Sequence, residues 1–186
     1  MPLTPDERAF LRDRNPWGFI LFKRNVETPS QVADLVRQLR ECVGNPDAPV
    51  LIDQEGGRVQ RLSPPHWPVY PPGAVFGALY DQDRPAGLEA AYLASRLIAA
   101  DLADLGITVD CLPLADVPVP GSDAVIGDRA YGTSPAKVAE IARAVTNGLW
   151  KAVSCRFSST FPVTEGPQQT ATLRFRRSIR PFPNLR

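Results

Sequence analysis

The segment Pro49-Val50-Leu51-Ile52-Asp53-Gln54-Glu55-Gly56-Gly57-Arg58-Val59-Gln60-Arg61 constrains the fold of this chain more than any other. Val50 to Ile52 form an apolar run with no polar alternation. That is how a strand reads when both its faces are covered, as in a parallel sheet. The run stops at two carboxylates, two glycines and two arginines. Parallel α/β sheets and barrels present polar groups in this way, at the carboxyl ends of their strands.

The flanking sequence supplies companions for such a strand. Thr4-Pro5-Asp6-Glu7 is a helix start, with Thr4 as cap, Pro5 in the first turn and Glu7 completing a capping box. Trp17 to Phe22 read as a second strand with no polar face, predicted to be covered on both sides. Thr28-Pro29-Ser30-Gln31 repeats the capping signal, and Val32, Leu35, Val36, Leu39 and Val43 follow at helical spacing until Gly44-Asn45-Pro46. Residues 62–73 are too rich in proline for helix or regular strand pairing. They follow directly on a strand-end motif, which weighs against a polyproline docking segment. A long helix is predicted from Gly87 to Leu105, with Gly106 as its stop, and a third strand over Ile107–Leu112. After a loop from Pro113 to Gly132, Ser134-Pro135 opens a helix carrying Val138, Ile141, Ala142, Val145 and Leu149. This alternation predicts an α/β fold with parallel strands near 17–22, 49–53 and 107–112.

Two clusters carry candidate chemistry. Asp53 and Glu55 are two residues apart, so they are either an acid/base pair or a ligand-binding carboxylate beside one that fixes the loop through an arginine. The second reading is favoured, because ion pairs that merely fix structure are common at such positions. Asp accepts hydrogen bonds from sugar hydroxyls and Arg donates in a planar fork, which makes Asp53 with Arg61 a plausible polyol clamp. The second cluster is Ile126-Gly127-Asp128-Arg129-Ala130-Tyr131. Arg129 either reaches the same pocket as Arg61 or pairs with its neighbour Asp128, and spacing does not separate the two.

Four ordered motifs resemble glycoside hydrolase family 3, and within it the bacterial β-N-acetylhexosaminidases. Gly18 to Asn25 is similar to the family's early strand and its R-N turn, and Asp53 to Arg61 to its D-Q-E-G-G-R-V-Q-R motif. Pro113 to Val117 resembles its A-P-(V/L)-x-D-V strand end, and Ile126 to Tyr131 its I-G-(D/E)-R-(S/A)-(Y/F) loop. The resemblance implies a (β/α)8 TIM-type barrel, which typically needs about 250 residues. With 186 residues, the expectation is a partial, truncated barrel over residues 1–150. It further implies that Asp53, Arg61 and Arg129 bind an N-acetylglucosamine unit. The family is cytoplasmic in Gram-negative bacteria and releases that sugar from cell-wall muropeptides during peptidoglycan recycling.

The departures are as specific. The family has one more strand before the Thr4 helix. After the Val145 helix it continues with K-H-F-P-G-H-G and then an Asp-Ser-His element whose His is the general acid/base, with an aspartate nucleophile further on. None of these is encoded in frame, since His66 is the only histidine, so no catalytic residue is assigned in this chain. Residues 151–186 are instead basic, with seven Lys/Arg against Glu165 alone, while residues 1–150 carry a net charge of −5. Reading the third base of each codon with the first two of the next permits, from Ser158 to Thr172, the string K-H-F-P-G-H-G-R-A-T-A-D-S-H. Fourteen consecutive permitted matches to one expected motif indicate a frameshift in the coding sequence, or a sequencing error, near residues 149–153. The tail is then expected to be disordered, since it was never selected to fold. The alternative, a natural basic tail for nucleic acid or lipid head groups, fits its Phe, Pro and Leu content poorly.

The expected activity by family is retaining hydrolysis of terminal β-linked N-acetylglucosamine, with this chain inactive as written. The alternative is a sugar-binding or interaction fragment without catalysis. An aldolase-like barrel has no support, because no phosphate loop or Schiff-base lysine stands at a strand end. A small carbohydrate is the expected partner; neither nucleic acid nor a membrane is expected, and no metal or cofactor. Cys42, Cys111 and Cys155 have neither metal nor redox spacing, which suits free thiols in a reducing compartment. Met1 is followed at once by a helix start and no run approaches the roughly 20 apolar residues of a membrane span. A cytoplasmic protein is the expectation.

Overall fold

A computed structural model describes residues 3–121 and 124–152. The order is α1 (Pro5–Arg14), β1 (Phe19–Leu21), α2 (Pro29–Cys42), β2 (Val50–Ile52), β3 (Gln54–Gly56), β4 (Val59–Gln60), α3 (Gly73–Gln82), α4 (Arg84–Asp104), β5 (Val109–Asp110) and α5 (Pro135–Ala152). Single turns of 3-10 helix lie at Lys23–Asn25 and Gly127–Arg129. The tail predicted to be disordered lies, beyond Ala152, outside the described residues.

The helix starts follow from their caps. The Glu7 amide donates to the Thr4 hydroxyl at 3.2 Å, and the Glu7 carboxylate accepts from the Thr4 amide at 2.8 Å, which closes the capping box. Thr28 caps α2 by accepting from the Gln31 amide at 3.3 Å. The α4 helix starts three residues before the predicted Gly87, because the Asp83 carboxylate accepts from the Ala86 amide at 3.1 Å. The α3 helix was not anticipated. Its N-cap is Pro72, which makes no side-chain capping bond, so no polar start signal marks it.

The sheet is parallel, in the order β1-β2-β5, with Leu21 beside Ile52 and Ile52 beside Asp110. The three strands fall where the sequence places them, though each is shorter. The expectation that β1 is covered on both sides does not hold among the described residues. It is an edge strand, with Ile20 44% and Trp17 75% exposed. One core joins Val32, Leu35, Val36 and Leu39 of α2, Val50 and Ile52 of β2, Ile98 and Leu102 of α4, and Ile141, Val145 and Leu149 of α5. Burial at this scale drives assembly of the layers, at about 1.5–3 kcal/mol for each large aliphatic side chain. No described helix is long and apolar enough to cross a membrane.

Candidate functional site at the carboxyl edge of the sheet

The polar cluster lies where β2 and β5 end. After Asp53 the chain runs out along β3 and returns along β4, a short antiparallel hairpin. Gly56 (φ 92°) and Gly57 (φ 55°) make the reversal, in a backbone region that glycine enters without steric cost. A paired hairpin was not anticipated from the sequence. Its return leg is held by a side chain. Gln54 is fully buried; its Oε1 accepts from the amides of Arg61 and Leu62, both at 2.9 Å, and its Nε2 donates to the Leu62 carbonyl at 3.0 Å. The hairpin thereby brings Arg61 back beside Asp53, where Nη2 donates to Oδ2 at 2.6 Å.

Arg129 arrives from the 3-10 turn. It pairs with Glu55 rather than with Asp128: Nε donates to Oε2 at 2.8 Å and Nη2 to Oε1 at 2.7 Å. Such a two-point fork fixes orientation as well as distance. Asp128 pairs instead with Arg58, at 3.3 Å and half exposed. Two glycines one turn apart on α3 make room for this turn. A Cβ on Gly73 would lie 2.1 Å from the Arg129 carbonyl oxygen, and one on Gly77 would lie 1.9 Å from that of Tyr131.

The charges are mutually compensated. Burial acts to raise the Asp53 carboxyl. Hydrogen bonds from the Cys111 thiol and Arg61, with the positive charges of Arg61 and Arg129, outweigh it and hold Asp53 below its ordinary value. Cys111 is pushed up to about 12 by burial and by its bond to Asp53, so it is a neutral donor. The hydrogen bonds that Arg129 donates to Glu55 raise Arg129 against the opposing effect of burial. Asp53 is therefore held in its ionised form, which suits a hydrogen-bond acceptor rather than a proton donor. Glu55 anchors the Arg129 loop, as the loop-fixing reading expected of one carboxylate. Asp53 remains the less enclosed of the two, with 21% of its side chain exposed against 7% for Glu55.

Asp53, Arg61 and Arg129 are thus brought to one edge of the sheet. Each guanidinium has five N–H groups, and the carboxylates engage only part of each fork. The site also contains groups that sequence reasoning passed over: Gln54, Cys111 and Asp110. Only the extreme burial of Gln54 and Asp110 sets them apart, and that depends on residues distant in sequence. His66, the lone histidine, packs edge-on against Trp67 at 5.8 Å between ring centroids.

Comparison with known proteins adds a second line of observation. The Glycosyl hydrolase family 3 N terminal domain matches residues 3–165. A beta-hexosaminidase of Thioalkalivibrio sulfidiphilus is 34% identical over 92% of this chain and 48% of its own length. One from Methylococcus capsulatus is 37% identical over 86% of this chain and 46% of its own. Among solved structures, NagZ from Neisseria gonorrhoeae in complex with N-trifluoroacetyl-D-glucosamine superposes with a TM-score of 0.73 at 32% identity, covering 81% of this chain and 45% of that one. A family 3 beta-N-acetylglucosaminidase from Paenibacillus gives 0.74 at 30% identity, over 87% and 29%. The chain spans about half the length of the curated relatives it matches.

Proposed function

The chain belongs to glycosyl hydrolase family 3, and on that premise we propose that it is the sugar-gripping part of a β-N-acetylhexosaminidase. Residues 1–150 are then the first part of a (β/α)8 barrel, with Asp53, Arg61 and Arg129 holding a terminal N-acetylglucosamine unit. The observation that carries this is the pair of ion pairs Asp53–Arg61 and Glu55–Arg129 at the carboxyl edge of a parallel sheet, where such barrels act on substrates. Asp53, kept ionised, accepts from sugar hydroxyls. Arg61 and Arg129 offer the N–H groups that their carboxylates leave over to ring substituents or the N-acetyl carbonyl. A neutral sugar suits this edge, because each arginine is already matched by a carboxylate.

Retaining hydrolysis of this kind needs a nucleophile and a general acid/base. The family's histidine for the second role is encoded only in the shifted frame after Ser158, so the 186-residue polypeptide is a binding fragment and the restored frame is the enzyme. Muropeptides are the natural substrates in this reading, the cytoplasm is the compartment, and the setting is peptidoglycan recycling. Hydrolysis of a chromogenic aryl N-acetylglucosaminide by the two polypeptides tests it. Loss of an acid/base costs on the order of 10²–10⁴ in rate, so the chain as given should be silent and the frame-restored protein active. Turnover by the 186-residue form, or none by a soluble restored form, rejects the proposal.

A further inference from the structure

Asp110, at the end of β5, has no solvent exposure at all. Its Oδ1 accepts from the Gln54 amide at 3.0 Å, and its Oδ2 is buried with no hydrogen-bond partner. The next residue completes the arrangement, since the Cys111 amide donates to the Ile52 carbonyl at 3.2 Å. The backbone is therefore pinned from β5 on both sides of Asp53, before it at Ile52 and after it at Gln54. Among the described residues no arginine pairs with Asp110; Arg61 and Arg129 are engaged with Asp53 and Glu55.

We propose that Asp110 is a positioning residue for the sugar pocket, and that it holds the Gln54 amide as an uncharged acid. This rests on the sugar-binding reading of Asp53. A third carboxylate charge at this strand end would be buried without a partner, next to two others. A neutral acid leaves a single unmet hydrogen bond, a far smaller cost. Burial raises Asp110 well above the ordinary carboxylate value. The bonds from the Gln54 and Cys111 amides oppose that, and the charges of Glu55 and Asp53 add to it. The other titratable groups facing it, Cys111 and Tyr131, are themselves raised by burial and so stay neutral.

Three proteins test this: the full chain, Asp110→Asn and Asp110→Leu. Asn keeps an acceptor and is neutral, whereas Leu removes the acceptor at similar size. Hydrogen exchange at the Gln54 amide should be slow in the parent and in Asp110→Asn, and about tenfold or more faster in Asp110→Leu. The protonated-carboxyl band in the infrared spectrum at neutral pH should be present in the parent and absent from Asp110→Asn. N-acetylglucosamine affinity, followed by calorimetry, should be kept by Asn and fall about tenfold with Leu. Unchanged Gln54 exchange in Asp110→Leu, or no protonated band in the parent, overturns the proposal. Absence of sugar binding by the parent overturns the pocket reading and with it the positioning role, while the exchange and infrared results still decide whether Asp110 pins Gln54 as a neutral acid.

Discussion

The two ends of the sheet use arginine for different purposes. At the amino end, Arg40 of α2 donates from Nε to the Ala48 carbonyl at 3.1 Å and from Nη2 to the Gly106 carbonyl at 2.8 Å. Those carbonyls stand just before β2 and β5, so one side chain ties a helix to the entry of two strands. At the carboxyl end, Arg61 and Arg129 meet carboxylates at 2.6 and 2.7 Å. The acceptors at the amino end are neutral, and burial lowers Arg40 with only Asp47 opposing it. Arg129, facing Glu55, is raised. The same fork stitches backbone at one end and matches side-chain charge at the other. Changes at the amino end should therefore alter stability alone, and changes at the carboxyl end both stability and ligand binding.

The sharpest test is Glu55→Ala. It strands a guanidinium that is only 20% exposed, which costs about 2–4 kcal/mol of stability after allowing for that exposure. N-acetylglucosamine binding should fall with it. Urea denaturation and calorimetry measure the two, and a loss of stability with sugar affinity intact would erase the distinction between the ends. Next is Arg40→Met, which keeps the apolar stem but orphans two carbonyls. A loss of about 1–3 kcal/mol is expected, with sugar affinity unchanged; weaker sugar binding here would break the comparison.

Acid provides a smaller probe. Asp53 has a folded-state value below the ordinary 3.8, so its contribution to stability is fully present above that value. It fades as pH falls through the lower folded value, and it should amount to about 1 kcal/mol or less for a partly exposed pair. Sugar affinity should hold through the ordinary carboxylate value of 3.8 and drop only below it; a drop already near neutrality would mean that another group governs the site. The smallest effect belongs to Arg58→Ala, whose partner Asp128 is half exposed. Its stability change should stay within about 0.5 kcal/mol. A larger loss in thermal melts would show that exposed pairs at this edge also matter.

Local chemistry was legible and distant pairing was not. The caps at Thr4 and Thr28, the three strands and the Asp53–Arg61 pair all depend on residues within about ten positions of one another, and each was readable from the chain. The α3 helix was missed because a proline cap leaves no polar mark. Arg129 was undecided between the pocket and its neighbour Asp128, because its actual partner, Glu55, lies 74 positions away. Choosing between them requires knowing that α3 offers two glycines against which the Arg129–Tyr131 backbone can settle. Asp110 read as one polar residue in a strand; that it is sealed beneath two other carboxylates follows only from the assembled sheet.

The buried Gln54 amide has a consequence for how fast and how tightly a ligand is taken up. By standing in for a strand partner, it fixes Arg61 and Leu62 without help from any bound molecule. A ligand reaching this edge meets a preorganised backbone, so association loses little configurational entropy in loop ordering. Under the proposed sugar-binding role, encounter rather than rearrangement would set the on-rate, and differences in affinity among related sugars would be carried by how slowly each one leaves.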